Sequence, residues 1–126
     1  MEKEDFLLSI ENLLFWLDRK GYTVTFDSTG TDDICLNSKT ISMKNHDVEK
    51  KFYILAHECG HIIVGNTIFD EMDKKEKKAR TIIEEVLAWE QAKKLLKKLK
   101  IKYEEEQFEK MKIDAIHKYC CSYKNI

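Results

Sequence analysis

His57, Glu58 and His61 stand in the order H-E-x-x-H, within a stretch whose apolar residues recur at helical spacing. Residues four apart on a helix lie one above the other on the same face, so two imidazoles at that spacing can reach one divalent metal. Glu58 projects about 100° further round the axis, where it can take a proton from a water polarised by the metal without being a ligand itself. A shuffled chain of this composition would contain such a run about once in a hundred cases. The motif is therefore specific, and its surroundings decide what it means.

Two histidines leave a metal short of ligands, and the downstream helix supplies a candidate. Between about Lys75 and Leu99 the apolar stripe runs Ile82, Glu85, Trp89, Ala92, Leu96 and Leu99, with Ala88 and Leu95 beside it. Glu85 thus falls in the middle of an apolar face, where a carboxylate needs a cation or strong donors to offset its burial. Glu84 is rotated towards the edge of that face. The periodicity selects Glu85 as the third ligand. Two histidines and a carboxylate leave tetrahedral zinc with one open position, the arrangement of catalytic sites and not of closed structural ones. Zinc acidifies a water, Glu58 takes its proton, and a peptide carbonyl is the obvious target. Tyr22, Tyr53, Tyr103, His117, Tyr119 and Tyr123 could each donate to the developing oxyanion, and the sequence does not choose among them.

The elements that must position these residues can also be read. Phe6, Ile10, Leu13, Leu14 and Leu17 define an amphipathic helix over residues 4 to 19, ending near Gly21. Alternating β-branched, aromatic and polar residues at Tyr22–Phe26, Ile34–Leu36 and Thr40–Met43, with turn material at Asp27–Asp33 and Asn37–Lys39, predict a small antiparallel sheet of about three strands. Asp47 is an N-cap candidate for the motif helix, and Gly65-Asn66 suit its end. His46 stands at the approach to that helix. One stripe of it carries Val48, Phe52, Leu55, Cys59, Ile62 and Ile63; another, nearly opposite, carries Ile54, His57, His61 and Val64. A helix apolar on two sides is buried on both. Cys59 therefore reads as packing, and Gly60 implies a close neighbour or a substrate backbone. A last amphipathic helix runs from Tyr103 to about Tyr123. The fold class is α+β: a small sheet packed on a helical core that contains the motif helix, with further C-terminal helices.

The 126 residues fit a single domain, and a net charge of −1 gives no electrostatic reason to expect nucleic acid as a direct partner. The amino terminus is charged and no stretch reaches the ~18 apolar residues that span a bilayer, so the expected location is cytoplasmic, with no membrane. Four cysteines without C-x-x-C spacing are expected to be reduced thiols. The oligomeric state is not readable.

His57-Glu-Cys-Gly-His61, preceded by Phe52-Tyr-Ile-Leu-Ala56 and followed by Glu85-Val-Leu-Ala88-Trp89, resembles the ImmA/IrrE family of gluzincin-like zinc metallopeptidases. The likeness spans roughly residues 20 to 100. It implies His57, His61 and Glu85 as zinc ligands and Glu58 as the base, in agreement with the periodicity. Members commonly have Asn or Asp where this chain has Trp89, and many continue into a Leu-Met-Pro segment that is absent here. Relatives occur in bacteria, phages and mobile elements, where several act on transcriptional repressors. The resemblance thus implies a protein substrate or regulator as partner. An alternative is a zinc-stabilised, non-proteolytic module that regulates a transcription factor or defence protein; another is a buried polar network with no metal.

Overall fold

The computed structural model describes residues 1–27 and 30–123, with side chains as far as Cys121. Four helices and three strands follow in the order α1 (Lys3–Arg19), β1 (Thr23–Phe26), β2 (Asp33–Cys35), β3 (Thr40–Met43), α2 (Val48–Val64), α3 (Lys74–Lys98) and α4 (Glu105–Tyr123). The α+β class read from the sequence holds, with element boundaries within about two residues. Ser28 and Thr29, part of the expected turn between β1 and β2, lie outside the described residues.

The sheet departs from the expectation in one respect: it is mixed and not antiparallel throughout. Strand order is β1-β3-β2, with β2 antiparallel to β3 and β1 parallel to it. The chain reverses direction twice between β1 and β3, so β3 comes back running the same way as β1. Burial explains why β3 lies between the other two. Its alternate residues Ile41 and Met43 are fully buried, whereas β1 and β2 have no fully buried residue. The strand with the most apolar surface to hide takes the centre, and the wetter strands become edges.

Helix ends follow their caps. The Asp47 carboxylate accepts from Lys50 N at 3.0 Å and opens α2; Asp73 accepts from Glu76 N at 2.8 Å and opens α3. Gly65, at φ 74°, ends α2 in a conformation that a side chain would resist. At the end of α3, Ile101 N donates to Leu96 O at 2.9 Å and Lys100 N to Lys97 O at 3.2 Å, with Lys100 left-handed. This pairing reverses the chain and buries Ile101 with Leu96. It also turns Leu99 outward, against the expectation that it continues the buried stripe.

α2 is central, packed against α1 on one side and α3 on the other. Phe52, Leu55 and Cys59 are fully buried, and Tyr53, Ala56 and Gly60 form a further buried row. Ile63, expected in the apolar stripe, is exposed, while Ile62 beside it packs against the core. Phe108 of α4 joins the same core, with Met111, Ala115 and Ile116 packed against it. All four cysteines are free, and only Cys59 is buried. No helix among the described residues is long and apolar enough to cross a membrane.

Candidate metal centre

One contact fixes the geometry of the site. A Cβ added to Gly60 would lie 1.8 Å from the carbonyl oxygen of Ala88 and 2.7 Å from its carbon, so only glycine allows α2 and α3 to approach this closely. The close neighbour implied by Gly60 is therefore the backbone of α3. From that crossing, His57 lies three residues back along α2, His61 one residue on, and Glu85 three residues back along α3. The helical repeat brings all three to the same side of the contact.

There, His57 Nε2 stands 2.9 Å from Glu85 Oε2, and His61 Nε2 stands 2.9 Å from Glu85 Oε1. One potential ligand atom from each of the three residues lies within 4.8 Å of the others. His57 Nε2 and Glu85 Oε2 are both buried and neither has a hydrogen-bond partner, despite their 2.9 Å separation. A buried imidazole nitrogen and a buried carboxylate oxygen left without a hydrogen bond carry a desolvation cost, which a cation held between them would offset. The donor set of two imidazoles and one carboxylate suits a borderline divalent metal. His57, His61 and Glu85 are close enough together to hold a metal ion.

Electrostatics agree with the geometry. Burial pushes the Glu85 carboxyl up, but the two imidazoles outweigh it and hold the group down at about 2, so it is ionised throughout the neutral range. His61 shows the reciprocal balance: burial lowers its proton affinity, and Glu85 more than restores it. Glu58 is 5% exposed, and burial drives its carboxyl above the ordinary range against the pull of His57 and His61. Its Oε2 has no partner, and its Oε1 lies 3.6 Å from His57 Nδ1, too far for a hydrogen bond.

Residues that the sequence set aside are accounted for. Glu84 turns away from the histidines and accepts from the backbone N of Thr67 at 2.6 Å and from its hydroxyl, while Arg80 Nε donates to that hydroxyl at 2.8 Å. It anchors the segment between α2 and α3. Cys59 is in the core, where burial keeps its thiol protonated. His46 contacts both Asp32 carboxylate oxygens at 2.9 Å, and His117 is exposed beside Cys121.

The triad and Glu58 lie along a cleft of about 540 Å³. Asp33 and Ile34 of β2 border one side; Met111, Ala115 and Tyr119, at successive turns of α4, border another. Of the six candidate oxyanion donors, Tyr119 lines this cleft. Tyr53 is committed to the backbone of Glu104, Tyr22 and Tyr103 pack against the core, and the Tyr123 side chain lies outside the described residues. The sequence reading missed the contribution of Asp32, Asp33, Lys50 and Asp114 to the cleft, and nothing in their spacing signals it. It also missed that the Trp89 ring stacks on His57, although Trp89 lies one turn from Glu85 on the same face. No protein-family model, curated protein or solved structure matches the chain.

Proposed function

We propose that this chain is a zinc-dependent metallopeptidase of the ImmA/IrrE type that cleaves a regulatory protein partner in the cytoplasm, with a transcriptional repressor as the favoured substrate class. The supporting observation is the convergence of His57, His61 and Glu85 beside the buried carboxylate of Glu58, in a cleft bordered by an edge strand. Zinc, when bound, would supply Lewis acidity towards a carbonyl and a water. The protein supplies the rest. Glu58 accepts a proton and returns it to the leaving nitrogen, as a carboxylate held in a largely dry site can. Glu85 and the two histidines hold the ion. β2 pairs with β3 along one side only, which leaves its other side for an extended peptide to join as an added strand. Tyr119, which lines the same cleft, would donate to the oxygen of the carbonyl under attack.

The test is to incubate zinc-loaded protein with a cytoplasmic extract and map new protein N-termini by mass spectrometry, beside a Glu58→Gln variant of equal zinc content. Termini produced by the wild type and absent with Glu58→Gln are the expected result. No new termini from fully loaded wild type would overturn the peptidase reading and favour a module that acts by binding alone.

A further inference from the structure

The two rings of His57 and Trp89 lie 4.4 Å apart at an interplanar angle of 9°, a stacked pair, and the indole also meets Phe108 in an edge-to-face contact at 5.4 Å and 84°. Trp89 is 2% exposed, so it cannot swing away. A histidine that binds metal through one nitrogen is ordinarily oriented by a hydrogen bond from the other. His57 turns Nε2 towards Glu85, and its Nδ1 has Glu58 Oε1 at 3.6 Å, beyond hydrogen-bond reach. The indole, in contrast, lies nearly parallel to the ring and in contact with its face.

We propose that Trp89 is a positioning residue for the metal centre: its π face orients His57 and raises metal affinity by stabilising the imidazole in its metal-bound state. The inference rests on the metal-binding part of the proposed function and not on peptidase activity. An imidazole that gives its lone pair to a dication becomes electron-poor. The indole face is the most electron-rich among protein side chains, so the stack is stronger with metal bound than without. By reciprocity, whatever the metal adds to the stack the stack adds to metal affinity. The buried indole nitrogen argues in the same direction. Trp89 Nε1 has no hydrogen-bond partner, a cost that phenylalanine at this position would avoid. Core filling alone therefore does not account for an indole here.

The proposal predicts an order of zinc affinity, measured by competition with a chromophoric chelator on the full chain. Trp89→Phe keeps a smaller and less electron-rich aromatic face and is expected to bind about threefold more weakly than wild type, whereas Trp89→Leu, apolar but without a π face, is expected to bind about tenfold more weakly or worse. Phe108→Leu loosens the core around the indole but leaves the stacked pair in place and is expected to retain wild-type affinity. A spectroscopic readout covers the case in which Trp89→Leu does not fold. Trp16 and Trp89 are the only tryptophans, so in Trp16→Phe all indole emission comes from Trp89. Stoichiometric Co²⁺, an open-shell ion held by the ring stacked on that indole, is expected to quench the emission. Wild-type affinity in Trp89→Leu, an equal loss in Phe108→Leu, or Co²⁺ loading without quenching would each overturn the role of Trp89. Wild type that binds neither ion would instead remove the metal centre itself.

Discussion

The crossing of α2 and α3 and the junction of α3 with α4 hold their charges in opposite ways. At the junction, Lys93 pairs with Glu105 and Glu109, the N-terminal ammonium pairs with Glu104, and Lys102 lies 3.6 Å from Asp5. Most of these partners are in contact with water, so each pair is nearly as well satisfied without its mate. At the crossing, Glu58 and Glu85 are 5% and 4% exposed, and three of their polar or histidine partner atoms have no hydrogen bond. The first arrangement is a surface that tolerates change. The second has a polar cluster in a position where apolar packing would cost less, with the 2.9 Å pairs of Glu85 to His57 and His61 offsetting only part of that cost.

If that contrast is right, the crossing should respond strongly to small changes and the junction weakly. The largest effect is expected from Gly60→Ala. Alanine favours a helix over glycine by about 1 kcal/mol, but here its Cβ would collide with the backbone of Ala88, which cannot rotate out of the way. We expect a net loss of about 3 kcal/mol or more in urea unfolding. A gain in stability would mean that the helices do not pack this closely. Next, Glu58→Gln in metal-free protein should raise stability by about 1 kcal/mol, since it keeps the shape and removes a buried charge. A loss of similar size would place Glu58 among the structural residues. The smallest effect belongs to Lys93→Ala. Its unfolding midpoint should stay close to wild type and the difference should shrink as salt rises.

The grouping of the candidate site was more legible in the sequence than the strand pairing, for a physical reason. His57, His61 and Glu85 lie on two helices, and the 3.6-residue repeat determines which side chains share a face, so local spacing was enough to bring these three together and to set Glu84 aside. The cap at Asp47 is local as well. Strand pairing is not: the alternation in Thr40–Met43 marks which residues are buried but carries no information on whether a neighbour runs parallel or antiparallel. Leu99 is exposed because the chain reverses at the end of α3, which helical periodicity alone does not reveal. The partner of Gly60 is 28 residues away in the chain, and α4 reaches the cleft only through tertiary packing, so neither Ala88 nor Tyr119 could be assigned a role from periodicity alone.

The central claim is that His57, His61 and Glu85 form one metal centre and that the adjacent Glu84 takes no part in it. Its most direct test is metal content and affinity, by elemental analysis and chelator competition, of wild type beside Glu85→Ala and Glu84→Ala. The account predicts one metal ion per chain in wild type and in Glu84→Ala, with affinity in Glu85→Ala lower by about a hundredfold or more. Wild type without stoichiometric metal after reconstitution, or equal losses in the two variants, would contradict it.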